Sequence, residues 1–194
     1  LIIGVGFLFA DAMTEVATAN PDISFGIIDS AVDPTNVSGM VFAEEQGSFL
    51  VGVAAGLKTT TKKIGYIGGV EFPLIQKFEA GFAAGVAASC ADCTVDVKYV
   101  TYPPDFDGFN QPSKAKEIAL AQYESGADII YHAAGGAGNG LFEAAKEVCR
   151  NTKGPIASIY YQGLDRTDEG LDAAEKAVVA YGGVQMGQLE KNVS

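Results

Sequence analysis

Short apolar runs alternate along this chain with longer segments whose apolar positions recur every three to four residues, the pattern of strands feeding helices. Leu1 to Gly6 reads as a buried strand, and Asp11 to Ala19 as a helix with Met13, Val16 and Ala17 on one face. Ile23 to Ile28 is a second strand, ending at Asp29 and Ser30, and Asn36 to Phe42 a short third after the Pro34 turn. Glu44 to Leu57 carries Phe49, Leu50, Val53 and Leu57 at helical spacing, with Gly47, Gly52, Ala54 and Ala55 small enough to allow close approach to a sheet. Thr59 to Lys63 is a polar break, after which the pattern restarts.

The restart predicts a strand over Lys63 to Ile67, a Gly68-Gly69 turn and a helix over Pro73 to Ala88 with Leu74, Phe78, Phe82 and Val86. Val95 to Val100 is the next strand. A loop rich in proline, aspartate and aromatics runs from Thr101 to Pro112, and Ser113 to Tyr123 is helical. Ile129 to Tyr131 is a buried strand that empties into the glycine-rich turn Gly135 to Gly140, with a helix beginning near Leu141. Pro155 to Tyr160 is a further strand, Asp172 to Tyr181 a helix candidate, and 182 to 194 has no clear pattern. Strands alternating with helices imply right-handed βαβ units and a mostly parallel sheet covered on both faces.

Composition narrows the function. The 194 residues are 48% hydrophobic and 19% charged, an ordinary globular balance. A net charge of −11 opposes a phosphate backbone, so general nucleic-acid binding is not expected. No apolar run reaches the roughly 18 residues of a membrane span. Leu1 to Phe9 lack a basic segment and a small-residue cleavage site, so they read as a strand, and the chain as starting inside a fold, a fragment or processed segment. Cys90-Ala-Asp-Cys93 has the spacing of a redox or zinc half-site but no second pair follows; it is either incidental at a helix end or a local disulfide.

Ligands of open α/β sheets collect at the carboxyl ends of strands. Those ends hold Gly6 and Phe7; Asp29 and Ser30; Gly68, Gly69 and Glu71; Tyr102 through Phe109; and Ala134 to Gly138. They contain no catalytic triad, no clustered metal ligands and no Gly-x-x-x-x-Gly-Lys-Ser/Thr phosphate loop. The Gly135-Gly-Ala-Gly-Asn-Gly140 spacing departs from Gly-x-Gly-x-x-Gly, so its glycines fit close backbone approach to a neutral ligand or to a neighbouring lobe better than a dinucleotide, and no cofactor is expected. His132 reads as a core or strand-end residue, because no nucleophile or carboxylate at fixed spacing partners it. Asp29 could accept hydrogen bonds from a ligand or cap its own turn. Glu44 and Glu45 read as a solvated helix start. Phe106 and Phe109 are either a hydrophobic plug or a stacking platform for a flat ligand.

Five blocks in order resemble the basic membrane protein family, the substrate-binding lipoproteins of bacterial ABC transporters. They are Gly6-Phe-Leu-Phe-Ala-Asp-Ala12; Phe25-Gly-Ile-Ile-Asp29; Asn36-Val-Ser with Glu45-Gln-Gly-Ser-Phe-Leu-Val-Gly52; Lys63-Ile-Gly-Tyr-Ile-Gly-Gly69 with Pro73-Leu-Ile-Gln-Lys-Phe-Glu-Ala-Gly-Phe82; and Gly126-Ala-Asp-Ile-Ile-Tyr-His-Ala-Ala-Gly-Gly136. The resemblance implies a type I periplasmic-binding-protein-like α/β fold: two three-layer α/β/α lobes with mostly parallel sheets, the first incomplete. Residues 1–61 would be the partial first lobe, 62–165 the second, and 166–194 its end with the start of a return crossover.

The same resemblance implies capture of a nucleoside, a purine in the first instance, in an interlobe cleft, and delivery to a membrane permease outside the cytoplasm. Membrane contact would come only through a lipid anchor absent from this chain. Phe109 would stack on the base, with Phe106 the alternative; Gly135 would make room for the ligand; Asp29, Gly6 and Phe7 would contribute from the first lobe. The family's Gly-Val-Asp-Ser-Asp-Gln segment is replaced by Ile159-Tyr-Tyr-Gln-Gly-Leu-Asp165, leaving Asp165 as its substitute. A sugar or autoinducer receptor of the same fold, or a nucleotide-dependent enzyme, is the alternative.

Overall fold

The computed structural model describes residues 1–151 and 157–159. The expected helix over 172–181, the return crossover and Asp165 lie outside the described residues. The chain divides into two compact units, one of Leu1–Ala43 and one from Glu44 onward.

The first unit runs β1 (Ile2–Val5), a 3-10 turn (Phe7–Phe9), α1 (Ala10–Ala19), β2 (Phe25–Ile28) and β3 (Val37–Met40). Its strands are parallel in the order β1-β2-β3, with Val5 opposite Ile28 and Ile28 opposite Met40. Met13 and Ala17 of α1 form the core with Phe25 and Ile27. The expectation of a buried first strand does not hold. Leu1, Ile2, Ile3 and Val5 are exposed and only Gly4 is buried, beneath Met13; among the described residues β1 pairs with β2 alone.

The second unit runs α2 (Glu44–Lys58), β4 (Lys63–Val70), α3 (Pro73–Ser89), β5 (Thr94–Thr101), a 3-10 turn (Asp107–Asn110) and α4 (Pro112–Glu124). It continues through β6 (Ile129–Ala133), a 3-10 turn (Gly135–Ala137), α5 (Gly138–Asn151) and β7 (Ala157–Ile159). The strands are parallel in the order β5-β4-β6-β7. Val51, Ala55, Phe82 and Val86 of α2 and α3 cover one face with Ile64, Tyr66, Tyr99 and Ile129. On the other, Ala115, Ala119 and Tyr123 of α4 and Leu141 and Ala144 of α5 meet Ile67, Val100 and Ile130. The result is a three-layer α/β/α unit, as the alternation of elements predicts. The boundary expected at 61/62 falls inside this unit, since α2 packs on α3.

That helix pair departs from the hydropathy pattern. Ser48, Val51, Gly52, Ala54 and Ala55 are the buried positions of α2, whereas Phe49, Leu50 and Leu57 are exposed. The reason is backbone proximity: a Cβ at Gly81 would overlap the Glu45 backbone, and one at Gly85 the Phe49 backbone. With both side chains reduced to hydrogen the helices approach so closely that small residues form the contact and the larger apolar ones turn outward. The expected solvated pair at the start of α2 is likewise half right: Glu45 is exposed, but Glu44 is buried, with Lys77 Nζ of α3 at 3.5 Å from its Oε2.

Cys90 and Cys93 form a disulfide across the turn joining α3 to β5, with Cα atoms 5.4 Å apart. The turn is closed independently by Cys93 N–H donating to Cys90 O at 3.1 Å. A loop this short removes little entropy from the unfolded chain, so replacing both cysteines by serine is expected to cost about 2 kcal/mol. Urea unfolding checks this; an unchanged midpoint would show that the turn holds without the cross-link.

Candidate functional site

The order β5-β4-β6-β7 places a switch point between β4 and β6, because the connection after β4 leaves over one face and that after β6 over the other. The two 3-10 turns sit at this point. Phe109 of the first lies across Gly69, near the end of β4, where any Cβ would overlap its ring. Gly135 opens the second with φ 53°, in the left-handed region, and a Cβ there would meet Phe109 Cδ1 at 3.6 Å. Phe109 and Gly135, singled out separately in the sequence, are therefore neighbours.

The turn carrying Phe109 is braced from below and within. Gly108 rests against the Gly69 carbonyl. Thr101 Oγ1 donates to Asp105 O at 2.7 Å, and the Asp107 N–H to Asp105 Oδ1 at 2.9 Å. The Asp107 carboxylate accepts from Asn110 Nδ2 at 3.3 Å and Gln111 Nε2 at 3.1 Å. These bonds fix the turn before any ligand arrives. Phe106 points elsewhere: its ring meets Phe72 edge to face at 5.6 Å. Of the two aromatics, Phe106 folds back and Phe109 sits at the strand ends. The part of Gly69 was not read from the sequence; its signal was a Gly-Gly pair closing an otherwise apolar strand.

In the first unit Gly6 and Asp29 are side by side at the carboxyl ends of β1 and β2, where Gly6 N–H donates to Ile28 O at 3.2 Å. Gly6 has φ 106° and Asp29 φ 65°, an uncommon conformation that aspartate tolerates better than most residues. Asp29 N–H donates to Met40 O at 2.8 Å. Phe7 follows as the first residue of its 3-10 turn.

Beneath the second unit's strand ends the interior is aromatic. Tyr131 lies 4.9 Å from Phe82 and 5.8 Å from Tyr66 between ring centroids, and its hydroxyl is 3.2 Å from that of Ser48. The Tyr66 hydroxyl donates to Ile75 O at 3.0 Å, and burial raises its pKa. Burial and a hydrogen bond to Glu79 also raise that of Tyr99. His132 is buried, its Nδ1 accepting the Ala134 N–H at 3.3 Å and its ring 5.4 Å from Phe142. Burial pushes its imidazole down to about 4. It is a neutral interior residue at neutral pH. α5 begins at Gly138, three residues before the expected start, where a side chain would overlap the His132 ring.

The family model described as "ABC transporter substrate-binding protein PnrA-like" matches residues 1–180. The chain is 42% identical over 173 residues to the "CD4+ T-cell-stimulating antigen" of Listeria monocytogenes, covering 88% of this chain and 46% of that protein. It is 38% identical over 172 residues to the "ABC transporter nucleoside-binding protein BmpA" of Lactococcus lactis, covering 88% and 47%. "Basic membrane protein A" of Borreliella burgdorferi is 34% identical over 148 residues, covering 74% and 42%. The chain thus spans about half the length of these curated relatives. Among solved structures, an ABC transporter solute-binding protein of Aeropyrum pernix superposes with a TM-score of 0.71 at 25% identity, covering 80% of this chain and 45% of that one. One from Burkholderia multivorans shares the fold at a TM-score of 0.60 and 16% identity, covering 98% and 71%.

The fold is that of the periplasmic solute-binding proteins, an α/β architecture with parallel sheets. The chain belongs to the PnrA-like family of ABC transporter substrate-binding proteins, the basic membrane proteins.

Proposed function

We propose that this chain belongs to an extracytoplasmic receptor that captures a nucleoside and hands it to an ABC permease. The observation carrying this reading is the Phe109 ring, seated on Gly69 beside Gly135 at the switch point by a turn that is already hydrogen-bonded. A flat aromatic on a fixed mount suits a flat heterocycle, and glycines around it let the ligand approach the backbone. Membership of the substrate-binding family and the name of the Lactococcus relative support the same ligand class.

Gly6, Phe7 and Asp29 are proposed as further ligand contacts, with the left-handed Asp29 offering carboxylate oxygens to ligand hydroxyls. A lipid anchor on the whole protein would hold it at the membrane; in this chain no helix among the described residues is long and apolar enough to cross one. The activity is capture and release, with no bond made or broken.

Isothermal titration of the full-length protein with adenosine, guanosine and inosine tests the reading. Stacking is worth about 1–3 kcal/mol per base, so Phe109→Ala should weaken binding roughly 5- to 150-fold. Phe106→Ala should change it far less, its ring being engaged with Phe72. Heat from a pentose or hexose but from none of the nucleosides would overturn the ligand assignment.

A further inference from the structure

The Cys90-Ala-Asp-Cys93 turn takes no part in the strand-end site. It precedes Thr94, the first residue of β5, which pairs with Lys63, the first residue of β4. It therefore lies at the amino ends of the strands, away from Gly69 and Phe109 at their carboxyl ends. Between the two half-exposed cysteines stands Asp92, which is exposed. The two Sγ atoms and one carboxylate oxygen of Asp92 lie within 4.8 Å of one another, and Asp92 Oδ1 is 3.5 Å from Cys90 Sγ.

We propose that on reduction Cys90, Asp92 and Cys93 form a three-ligand site for a soft divalent cation such as Zn(II), which the disulfide between two of the ligands closes in the oxidised protein. Two thiolates and one carboxylate are a donor set that zinc accepts, with the fourth tetrahedral position left to water. The backbone bond from Cys93 N–H to Cys90 O keeps the two cysteines together whether or not the sulfurs are joined. The turn also follows the last residue of α3, Ser89, so the negative end of the helix dipole favours a cation there. Lys62 Nζ pairs with Asp92 Oδ2 and is the internal competitor for that carboxylate.

The chemistry balances with a phosphine as reductant. The phosphine takes the oxygen of one water and becomes its oxide; its two electrons break the S–S bond, and the two water protons become the thiol protons. Zn(II) then replaces both thiol protons, which pass to the buffer.

The test uses the full chain carrying Cys149→Ser, so that this pair holds its only cysteines, reduced with a phosphine that is then removed. Titration with Zn(II) should give one site in the reduced protein and none in the oxidised protein. Adding Asp92→Asn should weaken the site roughly tenfold or more. Co(II) in its place should give a thiolate-to-metal charge-transfer band, which a purely structural turn would not produce. Equal Zn(II) affinity with and without Asp92, equal binding before and after reduction, or no charge-transfer band would overturn the proposal.

Discussion

Replacing Asp128 by alanine is expected to cost about 3 kcal/mol of unfolding free energy, more than its place beside a polar connector would suggest. The carboxylate is 7% exposed and stands just before β6. Oδ1 accepts the Thr59 hydroxyl at 2.6 Å, while Oδ2 accepts the Thr60 N–H at 2.6 Å, the Thr60 hydroxyl at 2.9 Å and the Thr61 N–H at 3.1 Å. Burial opposes ionisation here, but the donors from Thr59, Thr60 and Thr61 outweigh it and hold the carboxyl below the usual carboxylate range. Removing it unties the connector between α2 and β4. Asp128→Asn should lose less, because its amide oxygen can take the three donors on Oδ2 and the Thr59 hydroxyl can turn to accept from its NH2. A urea-unfolding loss below about 1 kcal/mol for the alanine variant would show that water replaces these bonds at little cost.

Acidification should destabilise the protein through His132, and over a different range. Its folded pKa, near 4, is depressed from an ordinary value of 6.5. Above pH 6.5 the ring is neutral in both states and the full stability is present. Between pH 6.5 and 4 the unfolded chain takes up the proton and the folded one does not, so stability falls by about 1.4 kcal/mol per pH unit, some ~3 kcal/mol in all. Below pH 4 both states are protonated and this contribution is flat. Asp128, with its lowered pKa, acts oppositely in position: its contribution is present above the ordinary carboxylate range and is lost only as pH falls through its folded pKa. His132→Gln should therefore flatten the stability profile between pH 7 and 4 while leaving the steeper acid limb. An identical slope in both proteins would mean that another group carries the loss.

How much of this was legible in the sequence depends on what each residue shows to a hydropathy reading. The strands expected over Lys63 to Ile67 and Ile129 to Tyr131 were clear because buried parallel strands are continuous apolar runs, but β4 continues to Val70 through Gly68 and Gly69, expected as a turn, and β6 to Ala133. The buried face of α2 was not, because a helix contact built on Gly81 and Gly85 has no side chain to register, and Phe49 and Leu50 then mark the outer face. Thr59 to Lys63 looked like a linker since three threonines carry no periodicity; only the position of Asp128, 67 to 69 residues later, reveals them as a clamp. The candidate site divides in the same way. Strand-end topology pointed to Phe106 and Phe109 alike and the family resemblance favoured Phe109; that Phe106 packs on Phe72 while Phe109 lies on Gly69 depends on contacts remote in the chain.

The central place of β4 bears on synthesis. Its pairing with β5 can form once the chain has reached Thr101, whereas its other edge waits for β6, which ends at Ala133. As the polypeptide emerges, the backbone groups of Ile64 to Gly68 therefore spend an interval as an open, apolar strand edge, the kind that recruits a neighbouring chain. That edge is open to misassociation in that interval, which ends when Ile129 to Ala133 pair with it.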